Sequence, residues 1–155
     1  MTTTPSKPAG IDPRGPRFGA AITAVLLLAT LFVALVQPWL YAAPLLAVIV
    51  ALFAWGAFAG IQRHPYGKLF ARFIQPRLAP PTELEDPRPP TFAQLVGFII
   101  TGLGLLIGVA VAPIVIPIAA ALAFVAAFLN AVFGYCLGCQ IYLLLVRARI
   151  IRSAG

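Results

Sequence analysis

Residues Phe92–Ala112 read FAQLVGFIITGLGLLIGVAVA, with no charged side chain among them. About 20 predominantly apolar residues are needed for a helix to cross the hydrocarbon of a bilayer, and this stretch meets that length without interruption. Three further blocks approach or exceed it: Phe18–Val36, Tyr41–Ile61 and Ile118–Val146. Inside lipid every backbone amide must find its partner within its own segment, so each block predicts a helix. The fold class that follows is all-α, a polytopic membrane four-helix bundle. Its spans are expected at about 18–36, 41–61, 92–112 and 118–146, within one domain over residues 12–152.

Composition agrees. Apolar residues make up 61 % of the chain and charged residues 10 %, whereas a soluble domain carries about a quarter charged residues. Arg14 and Arg17 before the first apolar run resemble the start of a secretory signal. The run is longer than such a signal needs and lacks a small-residue cleavage site, so it reads as a retained helix.

A net charge of +7 would suggest nucleic acid in a soluble protein. Here its distribution argues for a lipid partner instead. Lys7, Arg14 and Arg17 precede the first span; Arg63, Lys68, Arg72, Arg77 and Arg88 lie between the second and third; Arg147, Arg149 and Arg152 follow the fourth. The connections Gln37–Leu40 and Pro113–Pro117 carry no charge. Positive charge is retained inside, so both termini and the loop over 62–91 are expected in the cytoplasm of a multi-pass cell-membrane protein. Trp39 and Tyr41 in the opposite turn suit the outer interface.

Residues 1–11 are too polar and proline-broken to pack and read as a disordered cytoplasmic tail, with a second short tail over 153–155. In the central loop, His64 reads as a cap on the C-terminal end of the second helix. Lys68–Gln75 places Leu69, Phe70, Phe73 and Ile74 opposite Lys68 and Arg72, the pattern of an interfacial amphipathic helix. Pro76–Pro81 should run extended, and Thr91 with Gln94 forms a capping-box pattern opening the third span. Gly56/Gly60, Gly104/Gly108 and Gly134/Gly138 are spaced for close helix crossings.

The two cysteines, Cys136 and Cys139, fall in the last apolar block. On a continuous helix they share one face a turn apart. Counting back from Arg147, both sulfurs would lie about 12 to 16 Å inside the membrane. An apolar setting raises a thiol's pKa, so a reactive pair needs local help. Tyr135, Gln140 and Tyr142 are the neighbours able to hydrogen-bond sulfur, and no Lys, Arg or His is close in sequence. Any charged activator must come from elsewhere in the fold. Two cysteines also serve as small packing residues beside Gly134 and Gly138. A metal would need further ligands across a homodimer, since the single His is distant, and none is assigned. Asn130 is placed roughly opposite Cys136, suited to an interhelical hydrogen bond.

His64-Pro65-Tyr66-Gly67 with Phe70, Arg77-Leu78-Ala79-Pro80-Pro81 with Glu85-Asp86, Phe92-Ala93-Gln94 with Gly97, and Cys136-Leu137-Gly138-Cys139 with Tyr142 together form a pattern. It resembles the bacterial membrane proteins grouped as domain of unknown function 4395. That resemblance implies a small multi-pass protein with a dithiol in its final span and thioredoxin-like or rhodanese-type sulfurtransferase neighbours. A more distant likeness is to the vitamin K epoxide reductase architecture, where four helices hold a CxxC beside a quinone, the one cofactor any resemblance implies. There the dithiol serves the outer compartment, whereas the charge pattern here turns it inward.

Three functions compete. One is a thiol–disulfide oxidoreductase or sulfur carrier, using Cys136 and Cys139 with a cytoplasmic partner docked on Arg72, Arg77 and Arg88. Another is a scaffold whose proline-rich loop recruits a soluble enzyme. The third is a dimeric transporter of a reduced sulfur compound, which the lack of charge within the spans disfavours.

Overall fold

The computed structural model describes residues 10–152. It is helical, with no strand among the described residues. Four helices are long and apolar enough to cross a membrane: α1 (Arg14–Val36), α2 (Ala43–Ala59, preceded by a 3-10 turn over Trp39–Ala42), α4 (Arg88–Ala110) and α5 (Val115–Phe133). Between α2 and α4 lies the short α3 (Pro65–Leu69), which continues through a π turn over Phe70–Ile74. Last comes α6 (Leu137–Arg147).

The apolar blocks form helices, and small residues set how those helices meet. α1 packs along α5, α2 along α4, and α4 also packs on α5. At the α4–α5 crossing, a Cβ on Gly104 would collide with Ala119, and one on Gly108 with Ile116. This is the one glycine pair that works as a pair. Gly60 and Gly134 instead end helices at positive φ, 84° and 67°.

Leu27, Leu46, Ile49, Ile116 and Ala120 form the buried centre. Thr30 and Thr101 are buried with them and donate to carbonyls one turn back, Leu26 at 2.9 Å and Gly97 at 2.7 Å, so neither leaves an unsatisfied hydroxyl. The outer faces are as apolar as the core: Leu35 is 84 % exposed and Phe58 73 %. Water would not tolerate such a surface, and acyl chains match it. This is a membrane protein.

One end of the bundle gathers the basic segments. Ile61 N–H donates to Thr91 Oγ1 at 3.3 Å, joining the end of α2 to the start of α4. Phe70 is buried against Gly15 and Phe18 of α1, while Leu69 and Phe73 stay exposed, so the amphipathic segment gives one ring to the bundle and the rest outward. Across this end, Ile11 and Glu85 exchange backbone hydrogen bonds of 2.9 Å in both directions. Arg14 pairs with Asp12 at 2.7 Å and donates to the Ala79 carbonyl at 3.0 Å. The Arg14 guanidinium holds the Asp12 carboxyl below its ordinary range against the opposing effect of burial. The tails expected over 1–11 and 153–155 fall outside the described residues except at Gly10 and Ile11, and Ile11 is paired.

Two local expectations are corrected. α4 begins at Arg88, a turn before the capping-box pattern, because Pro89 and Pro90 fit the first turn, whose amides need no partner. Thr91 then lies inside the helix and donates to the Pro87 carbonyl at 2.7 Å. His64 does not end α2 as a cation. Its Nδ1 accepts the Tyr66 N–H at 3.2 Å at the start of α3, leaving Nε2–H to donate to the Leu52 carbonyl at 3.0 Å. The ring is buried, which pushes its pKa down against the Leu52 bond, so a neutral imidazole staples α3 to α2. The Tyr66 hydroxyl beside it is buried towards Thr23 without closing to hydrogen-bond geometry, and burial pushes that phenol up.

Candidate site: a disulfide at a helix N-terminus

The fourth apolar block is not one helix. α5 has 19 residues, about 28 Å of rise, and so completes a crossing by Phe133. Gly134 then turns left-handed, and Tyr135 N–H folds back to the Leu129 carbonyl at 3.2 Å. Chain direction changes there, and α6 starts again at Leu137 with only 11 residues, about 16 Å, too short to cross. The expected single span over 118–146 is therefore a span plus a short helix packed on α4. The block exceeds a bilayer's need of about 20 residues by nearly half, and that excess was the sequence signal for a break.

This break sets the local surroundings of the sulfurs. Cys136 and Cys139 form a disulfide, with Cα atoms 5.2 Å apart. Cys136 is the N-cap of α6, extended in backbone, and its Sγ accepts the Cys139 N–H at 3.2 Å. The pair follows the end of α5 and opens a separate short helix, in which Arg147 still lies eight residues beyond Cys139, about 12 Å of rise. Contacts tie the start of that helix to α4. Gly138 is buried so closely on α4 that a Cβ there would stand 2.5 Å from the Ala93 Cα. Tyr142 lies beside Phe92, with ring centroids 5.6 Å apart.

Arg17, near the start of α1, supplies the charge that the sequence around the cysteines lacks. Its guanidinium rests beside Gly134 and donates to the Val132 and Ala131 carbonyls at 3.4 and 3.5 Å. A cation at a helix C-terminus meets the negative end of the dipole. The same cation lines a cavity of about 650 Å³ whose wall includes Cys136, Cys139, Gln94 and Asn130. Sequence distance hid Arg17, 119 positions before Cys136, and only the fold brings them to one wall. Asn130 is likewise corrected. Its helical position opposite Cys136 assumed a helix that in fact stops at Phe133, and the turn brings both to the same cavity.

Of the neighbours expected to bond sulfur, Gln140 lines the cavity, Tyr142 packs on Phe92 and Tyr135 is exposed. Among the described residues none of the three hydrogen-bonds a cysteine sulfur, and the backbone N–H of Cys139 does so instead. The three arginines expected to dock a partner divide. Arg88 pairs with Asp86 at 3.7 Å on the cavity rim. Arg72 lies over the Phe73 ring at 5.6 Å, and Arg77 donates to the Phe73 carbonyl. No group of three or more potential metal ligands occurs among the described residues.

Fold and site together define a class: a small multi-pass membrane bundle whose CxxC disulfide starts a short helix at one end. The chain belongs to the family described as Domain of unknown function (DUF4395), whose model matches residues 11–147. Comparison with curated proteins and with solved structures gave no match.

Proposed function

We propose that this protein is a membrane thiol–disulfide relay, with Cys136 the sulfur that meets its partner. The observation carrying this reading is the disulfide at the start of α6, in a cavity wall shared with Arg17. In the reduced state a Cys136 thiolate would keep the Cys139 N–H as donor and face the positive end of the α6 dipole. A helix N-terminus lowers a thiol's pKa, making Cys136 both the better nucleophile and the better leaving group.

The exchange balances without further reagents. Cys136 thiolate attacks a partner disulfide, one partner sulfur leaves as thiolate, and Cys139 then attacks Cys136 Sγ. The products are the intramolecular disulfide and a partner dithiol, two electrons having passed to the partner. Run backwards, the same steps reduce the protein. Positive charge at this end supports a cytoplasmic orientation and a soluble thioredoxin-like or rhodanese-type partner. The scaffold reading gains less support, because the proline-rich loop is tied to Ile11 and Arg14 rather than presented free.

Thiol titration with a maleimide in native membranes tests the reading. Both cysteines should be silent after a mild oxidant and reactive after a dithiol reductant, with a soluble thioredoxin-type dithiol as effective as small thiols at far higher concentration. Cysteines that stay silent after both treatments would end it.

A further inference from the structure

The cavity beside the disulfide is deeper than a sulfur-to-sulfur encounter requires. It extends from Cys136 and Cys139 to Ile100 of α4 and Leu122 of α5. Those positions lie 12 and 11 residues from the basic ends of their helices, about 17 Å, which is the middle of the membrane. Small side chains make the room, Ala126 among them. Leu122 lines the cavity yet is 59 % exposed, so the deep end meets the lipid-facing surface.

Polarity is graded along this space. Its deep walls are Phe53, Val96, Ile100 and Leu122, with Thr23 of α1 the one polar side chain among them, whereas Arg17, Gln94 and Asn130 stand at the sulfur end. The Asn130 side-chain amide has no hydrogen-bond partner among the described residues, while its backbone carbonyl accepts the Gly134 N–H. An occupant matching this pattern has an apolar tail and a head that accepts hydrogen bonds. A small anion fits poorly, because the walls are mostly apolar and Glu85 and Asp86 stand on the rim. About 650 Å³ is within the range of sites that enclose a molecule of several hundred daltons.

We infer that this cavity binds an isoprenoid quinone dissolved in the membrane, and that the quinone takes the electrons of the Cys136–Cys139 dithiol. The inference rests on the relay reading and supplies its second partner. Two thiols lose two protons and two electrons and become the disulfide. The quinone gains both and leaves as a quinol, its two carbonyl oxygens now hydroxyls. Arg17 and Asn130 are positioned to donate to a quinone oxygen while the ring lies against sulfur.

The test uses the full protein, reduced and freed of reductant, in lipid nanodiscs with a decyl analogue of ubiquinone, whose fully substituted ring resists direct thiol addition. Quinol should form in step with disulfide, at one per protein molecule. Ala126→Phe, which fills the cavity, and Asn130→Leu, which keeps its size but removes the polar head contact, should each slow this about tenfold, the equivalent of about 1.4 kcal/mol. Both should leave exchange with a soluble dithiol unchanged, and that exchange shows each variant is folded. Independently of turnover, the analogue should raise the thermal midpoint of the oxidised wild type and not that of Ala126→Phe. Quinol formation no faster than in the Cys136→Ser/Cys139→Ser protein, or equal rates in wild type and both variants, would overturn the quinone site. Loss of soluble exchange in the wild type would instead overturn the relay itself.

Discussion

Replacing Cys139 by serine should arrest the relay as a mixed disulfide on Cys136, while replacing Cys136 by serine should abolish capture of the partner. The asymmetry comes from the α6 cap. Cys136 receives the only hydrogen bond to sulfur among the described residues, from the Cys139 N–H, and that donor survives substitution of the Cys139 side chain. A serine at 139 cannot resolve the mixed disulfide, because its hydroxyl is no match for a thiolate as a nucleophile toward sulfur. Turnover should fall to background in both variants, so the loss is total; only the species that accumulates differs. Non-reducing electrophoresis of reduced membranes reads the difference, after mixing with a thioredoxin-like protein that lacks its own resolving cysteine. That protein carries its remaining sulfur as a mixed disulfide with thionitrobenzoate, the group that leaves when Cys136 attacks. Equal trapping by both variants would show that the α6 cap does not select the attacked sulfur.

The second large effect belongs to Gly138. A single methyl there meets the Ala93 backbone at 2.5 Å, and backbone cannot swing aside as a side-chain tip can. Gly138→Ala must push the start of α6 off α4 or strain both, and overpacking of this kind typically costs about 1–3 kcal/mol. The disulfide is carried by that same turn, so exchange should slow as stability falls. Gly102→Ala is the control: its Cβ would meet only the Val50 Cγ1, at 3.9 Å, and helix propensity favours the change. Unfolding in mild detergent should separate the two variants clearly. A Gly138→Ala protein as stable as Gly102→Ala would mean α6 does not pack on α4 as described.

Much of this fold was legible because lipid imposes a coarse requirement. An uncharged run of 20 residues has few alternatives to a helix, so the four crossings and the gathering of Arg and Lys at one end could be read without coordinates. The Gly104/Gly108 crossing was readable for the same reason, since small residues are what close helix approach demands. Hydropathy says nothing about chain direction, however. The apolar run from Ile118 to Val146 continues smoothly through the turn at Gly134, so one long helix was the natural reading and its helical-wheel consequences followed. Cys136 was placed within a continuous helix rather than at the cap of a new one, and Asn130 on the opposite side from it. Arg17 was beyond reach altogether, because its place at the end of α5 depends on how α1 and α5 lie together. The Thr91 capping pattern misled for a local reason: two prolines had already opened the helix a turn earlier.

The depth of the sulfurs is the point on which the account turns, since a pair at the bundle's basic end can be touched by a soluble protein and a pair in mid-membrane cannot. Sided labelling measures it. The reduced protein is treated with a membrane-impermeant maleimide in inverted and in right-side-out vesicles, with Cys136 and Cys139 resolved by mass spectrometry. Rapid labelling of Cys136 in inverted vesicles and none in right-side-out vesicles is the expected result. Labelling only by a membrane-permeant maleimide, or from the outer face, would contradict it.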